Sequence, residues 1–205
     1  MTETLLLIRA GRTALHSASR MGGPADPPLD ARGEHEVRVL ATVLARFAPT
    51  RVATSPLQRA ERTGCVIAWA SNSDLTVDPR LVDRDDGQPF TVLHPKPKRD
   101  RAGVDRAPGV QSMAAVLARV RPALEELLAA EPGGVLALVS HDVVIRALLK
   151  DLVPKQSSGL VVNTGSWSRL ERENGRWRAA EVDRTALDAR RPRQAVGHGW
   201  APLST

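Results

Sequence analysis

Three short apolar runs set the strongest limit on how this 205-residue chain can fold: the start of "TLLLIRAGRT", "VAT" in "RVATSPLQRAERT", and "VLALV" in "GGVLALVSHD". Residues 4–9 are continuously apolar up to Arg9, and residues 135–139 are equally so. A strand that does not alternate apolar with polar is one covered on both faces, as in a parallel sheet flanked by helices. Each run stops at a polar residue and is followed, directly or after a loop, by a helical pattern. The expected fold is therefore α/β, a three-layer sandwich with a mostly parallel central sheet and helices on both faces.

The intervening segments fit that order. Residues 16–28 ("HSASRMGGPADPP") are Gly/Pro-rich and read as loop. Asp30 is placed to cap a helix whose Val37, Leu40, Leu44 and Phe47 share one face. After the second strand, Ser55 at the N-cap, Pro56 at the first helical position and Gln58 at the third give a capping-box pattern. "LTVDPRLVDRDDGQPF" returns as an extended segment ending in a loop. Residues 110–130 carry Val116, Val120, Leu124, Leu127 and Leu128 at helical spacing. "SWSRLERENGRWRAAEV" reads as a C-terminal hairpin turning at Asn174-Gly175. One domain over residues 1–185 is expected, with a polar, proline-rich, lid-like insertion at about 88–109 and an Arg/Pro-rich tail at 186–205.

Composition excludes several functions. The 29 basic against 23 acidic residues give a net charge of +6, but aromatics are only 3% and no basic run interleaves with them. Nucleic acid is therefore not an expected partner. Of the basic residues, 25 are Arg and four Lys, and Arg forks suit planar recognition of phosphate or carboxylate. The single Cys65 excludes an internal disulfide and falls in a helical pattern as a buried packing thiol. No apolar segment approaches the ~20 residues of a membrane span. A cytoplasmic protein without membrane association is expected.

Ligands of open α/β sheets bind beyond the carboxyl ends of the strands. Here those ends carry Arg9-Ala10-Gly11-Arg12, then Ser55 to Arg59, and Ser140-His141. Converging, they supply two guanidinium forks, a helix N-terminus and an imidazole, a set that holds a tetrahedral dianion. No histidine pair has metal-ligand spacing and no Walker-type loop is present, so neither a metal nor an organic cofactor is expected. His35 lies on a polar helix segment, and His94 and His198 lie in proline-rich or tail segments, all read as surface residues.

"LLLIRAGRT" resembles the N-terminal signature of the histidine phosphatase superfamily, the phosphoglycerate mutase-like proteins, in which Arg-His-Gly follows an apolar strand. "TSPLQRAERT" is similar to its second motif, "DPRLVDRDDG" to its acidic motif and "LVSHDVVIRALL" to its second-histidine motif. The resemblance spans roughly residues 4–183. It implies that Arg9 and Arg59 clamp phosphoryl oxygens and that His141 binds the same group and stabilises the charge of transfer. It places the acid that protonates the leaving oxygen at Asp83, with Asp85 and Asp86 as neighbouring alternatives. His16 takes a position near the phosphate where the family often has asparagine, and Arg20 and Gly22 match the loop that follows. Arg62 either supports the site or pairs with an acidic neighbour, and Arg12 stands where the family often has glutamate.

The family's nucleophile, the histidine that becomes phosphohistidine, is replaced here by Ala10. Three readings follow: a phosphomonoesterase inactivated by substitution at position 10, which would trap its substrate; a natural pseudoenzyme that binds a phosphorylated ligand or partner; or a site repurposed for another reaction on an anion, with His16 or Asp83 as acid or base. The first fits the retention of Arg9, Arg59 and His141. The resemblance favours phosphatase over mutase, because the segment between the second and third motifs is short. The expected ligand is a small phosphorylated metabolite. Lys96, Lys98, Arg99, Arg101 and Arg106 in the insertion suit a second anionic group, and the hairpin and tail leave room for a homodimer.

Overall fold

In the computed structural model, which describes residues 3–17, 26–85, 109–157 and 159–186 and only the backbone of 16 and 17, the apolar runs lie side by side. β1 (Glu3–Arg9) and β2 (Arg51–Thr54) flank β4 (Val135–Ser140), both parallel to it. β3 (Asp74–Val77) extends the parallel set beyond β2. β5 (Trp167–Glu173) and β6 (Arg176–Arg184) form the expected hairpin and add antiparallel to β1, giving the order β3-β2-β4-β1-β5-β6. Asn174 and Gly175, at φ 51° and 76°, make the turn; positive φ at both central residues is what matches a two-residue turn to strand twist.

The pleat divides β1 between two cores. Leu5 and Leu7 pack with α4 (Met113–Ala129) and α5 (Asp142–Leu152), whereas Leu6, Ile8 and Ala10 belong to the core formed with α2 (Ala31–Leu44) and α3 (Gln58–Ser71). β4 divides likewise, Leu136 and Leu138 to the first core and Ala137 and Val139 to the second. Burial of such aliphatic side chains contributes about 1.5–3 kcal/mol each, which is why the uninterrupted apolar runs specify a covered sheet.

Capping follows the sequence at α2 and departs from it at α3. The Asp30 side chain accepts the Gly33 N–H at 2.8 Å. α3 begins at Gln58, not at Pro56, with Leu57 in the capping position; Ser55 Oγ still accepts the Leu57 N–H at 3.3 Å. The Gln58 N–H is taken by the Asp26 carboxylate at 2.6 Å. Cys65 is exposed, contrary to its expected burial. The buried stripe of α3 runs through Ala60, Thr63, Gly64, Ile67 and Ala68, which leaves Cys65 on the opposite flank with Glu61, Arg62 and Trp69. The lid-like insertion, apart from its last residue, the tail beyond residue 186, and His94 and His198 lie outside the described residues.

Candidate anion site at the strand ends

Alternation along β1 sends the Arg9 side chain towards α5 and the Ala10 side chain towards α3. Ala10 is 3% exposed and held by its backbone: its N–H donates to Ser140 O at 2.8 Å and its carbonyl accepts from Gly165 N at 3.2 Å. Gly11 donates its N–H to Thr63 Oγ1 at 3.1 Å, and that hydroxyl donates to Arg59 O at 2.7 Å. The β1 exit is thus tied to the first turns of α3. A Cβ on Gly11 would stand 2.6 Å from Val37 Cγ2, and one on Gly33 2.2 Å from Arg12 O. Glycine is required at both because the chain leaving β1 runs directly against α2.

Arg59, the second residue of α3, is buried and donates through Nη2 to Asp83 Oδ2 at 3.0 Å. Asp83 Oδ1 accepts the Arg84 N–H at 2.8 Å. His141, the residue between β4 and α5, places Nδ1 3.7 Å from Asp83 Oδ2 and Nε2 2.8 Å from Ser55 Oγ. Ser55 and Arg59 from the β2–α3 junction, Asp83 and His141 therefore meet, from three separate segments, beyond the carboxyl ends of β2 and β4. Among the three adjacent acids it is Asp83 whose carboxylate faces Arg59 and His141; Asp85 receives the Gln111 N–H on its backbone carbonyl at 2.8 Å, and Asp86 lies outside the described residues.

Arg9 contributes from the other side of the sheet end. One terminal nitrogen donates to Val162 O. Burial lowers its pKa, with Asp142 and then Asp83 opposing that effect and Arg59 and Arg146 adding to it. Arg9 thus feels Arg59, Asp83, Asp142 and Arg146 together. Asp142 and Arg146 form their own pair along α5, at 3.0 and 3.2 Å. Three guanidinium groups and two carboxylates thus share one partly buried cluster, in which the acids offset part of the positive charge.

Other sequence candidates are placed differently. Arg62 pairs with Glu34 at 2.8 and 2.9 Å on the surface between α3 and α2. Arg12 Nε stands 3.0 Å from Asp30 Oδ2, a charge contact outside hydrogen-bond angles. His16 falls in a one-turn helix, α1 (Ala14–Ser17), and not in a loop. Arg20 and Gly22 lie outside the described residues. The α3 N-terminus, expected to donate to the anion, has its first N–H groups occupied by Ser55 and Asp26.

Sequence reading missed the contact of Ser55 with His141 and the part played by Arg119. Arg119 reaches from α4 to Arg80 O at 2.5 Å, Asp83 O at 3.0 Å and Gln111 Oε1 at 3.2 Å, so it fastens the segment bearing Asp83. Nothing but its position on the inner edge of an amphipathic helix marks it. Among the described residues no group of three His, Cys, Asp or Glu side chains could hold a metal ion; the cations at the site are guanidinium groups.

A mostly parallel, covered sheet with arginine and histidine side chains gathered beyond its strand ends is the arrangement of the α/β proteins whose ligands bind at that edge. The chain belongs to the histidine phosphatase superfamily (branch 1), whose sequence model matches residues 5–185. It is 30% identical over 187 residues to the probable phosphoglycerate mutase GpmB of Serratia proteamaculans, with 85% of this chain and 87% of that protein covered. Among solved structures it resembles mycobacterial glucosyl-3-phosphoglycerate phosphatase, with a TM-score of 0.77 and 26% identity over 89% of this chain and 99% of that one. Phosphoglycerate mutase from Bacillus anthracis shares the fold, with a TM-score of 0.79 at 18% identity, covering 93% of this chain and 97% of that one.

Proposed function

We propose that this protein is a histidine-phosphatase-type phosphomonoester site in which Ala10 replaces the nucleophile, so that it holds a small anionic phosphorylated metabolite of the cytoplasm without forming phosphohistidine. The observation that carries the reading is the meeting of Arg59, Asp83 and His141 beside a buried Ala10, with Arg9 in electrostatic reach. Arg9 and Arg59 bind the phosphoryl oxygens and His141 donates to the same group. In a chain with histidine at position 10, its ring nitrogen attacks phosphorus, the phosphorus–oxygen ester bond breaks, and Asp83 delivers a proton to the departing oxygen. Water then attacks the phosphohistidine and returns the ring. Alanine has no lone pair to begin that sequence, whereas the groups that bind the ground state remain.

The names of the relatives, a mutase and a phosphatase of phosphoglycerate derivatives, support a phosphorylated sugar acid as the ligand class, and the short segment between the second and third motifs supports hydrolysis over transfer. Titration calorimetry of this chain with orthovanadate and with 3-phosphoglycerate tests the reading. Saturable binding is expected, weakened roughly 10- to 100-fold in Arg59→Gln, the loss of a charged hydrogen bond to the anion. Equal affinity in both chains would refute it.

A further inference from the structure

Ser55 is a buried hydroxyl that the phosphate-binding arrangement leaves without a task. It sits between the last residue of β2 and the first turn of α3, fully shielded from solvent. Its oxygen accepts the Leu57 N–H at 3.3 Å and lies 2.8 Å from His141 Nε2. Across the ring, His141 Nδ1 is 3.7 Å from Asp83 Oδ2, the same oxygen that Arg59 Nη2 approaches at 3.0 Å. His141 is itself only 3% exposed.

A neutral imidazole carries one proton, and the partner of each nitrogen decides which one. Facing a carboxylate oxygen, Nδ1 is favoured as the N–H. Nε2 is then a bare acceptor, and the Ser55 hydroxyl hydrogen, which rotates freely and is not needed by Leu57, completes it. The opposite assignment would aim a lone pair at Asp83 and at any incoming oxyanion, and would turn the buried Ser55 hydroxyl hydrogen away from Nε2, to be satisfied elsewhere.

We propose that Ser55 is a positioning residue that pins His141 as the Nδ1–H tautomer, so that the neutral ring turns a fixed N–H donor towards the point where Asp83 and Arg59 converge. The assignment of a phosphoryl oxygen as the acceptor rests on the phosphomonoester reading, but the tautomer does not. The hydroxyl works at a distance from the ligand, by preventing the ring from flipping or exchanging its proton between nitrogens.

The test uses this chain labelled with 15N-histidine, with His141 assigned by comparison with His141→Gln. At the alkaline end of the titration, where the ring holds one proton, two-bond correlations are expected to show a protonated Nδ1 and an unprotonated Nε2. Ser55→Ala should blur that signature into exchange between forms and weaken orthovanadate binding roughly three- to tenfold, the worth of one hydrogen bond. Ser55→Thr, which keeps the hydroxyl, should restore both. A protonated Nε2 in the parent chain overturns the proposal, as does a Ser55→Ala chain with an unchanged His141 spectrum and unchanged affinity. Absence of any orthovanadate or phosphate binding by the parent chain would instead remove the phosphomonoester reading, and the spectra alone would then decide the tautomer.

Discussion

One oxygen of Asp83 stands 3.0 Å from Arg59 Nη2 and 3.7 Å from His141 Nδ1. The Arg59 guanidinium and the His141 imidazole thus already share an internal anion. Arg59 and His141 are both buried, so neither can exchange this partner for bulk water without a desolvation cost. In the proposed function, an arriving phosphate competes with the carboxylate for the same donors.

Asp83→Asn should therefore separate binding from turnover. In this chain it removes the competing charge, and orthovanadate affinity is expected to rise roughly three- to tenfold, about the strength of one hydrogen bond. In an Ala10→His background the same change should lower kcat by ~10²–10⁴, the usual worth of a positioned general acid. Calorimetry and steady-state kinetics read the two effects. Weaker binding in Asp83→Asn would show that the carboxylate supports the seat and does not compete for it.

Arg119 holds Asp83 from behind through the Arg80 and Asp83 carbonyls and Gln111. Burial lowers the pKa of its guanidinium, with Asp83 opposing, and its removal leaves two partly buried carbonyls without this donor. Arg119→Met is expected to lose about 1–3 kcal/mol of stability, seen as a lower Tm, with faster amide exchange confined to residues 80–85. Uniform acceleration across the sheet would argue that Arg119 supports the whole fold and not that segment.

The Arg80 side chain, by hydrogen bonding, holds the Asp78 carboxyl below the usual carboxylate range. A carboxyl depressed on folding stabilises fully above its unfolded value, about 3.9, and that contribution fades as pH falls through the lower folded value. Asp78→Asn should cost about 1 kcal/mol near neutrality through the lost charge facing Arg80 Nη2 at 2.8 Å, because the Asn side-chain oxygen still accepts the Arg80 N–H. The difference between the two chains should narrow on acidification below pH ~4. A gap in urea midpoint that stays constant down to the acid limit would contradict this.

Much of the framework was legible because it depends on local pattern. Leu5 to Ile8 declare a doubly covered strand, Asp30 a helix start and Asn174-Gly175 a hairpin, each through its own backbone or burial preference. The assembly of Arg9, Arg59, Asp83 and His141 was legible only through four ordered motifs; no single one of these residues announces its neighbours. What escaped depended on contacts between distant segments. Ser55 reads as a cap because its oxygen does serve Leu57, and nothing local reveals His141 on its other side. The α3 N-terminus looked open until Asp26, from a separate loop, filled it. Cys65 follows the helical period of α3, but the sequence does not say which face meets the sheet; Ala60, Thr63, Gly64 and Ile67 settle that by packing.

In the proposed site, Ala10 removes chemistry and leaves binding. Rapid-quench analysis of the Ala10→His protein with 32P-labelled 3-phosphoglycerate, run beside this chain, separates the two. Ala10→His is expected to form an acid-labile phosphoenzyme and to release phosphate, and this chain to do neither, although it retains the ester in equilibrium binding. A well-folded Ala10→His protein that forms no phosphoenzyme across a panel of phosphomonoesters, or release of phosphate by the Ala10 chain itself, would contradict this expectation.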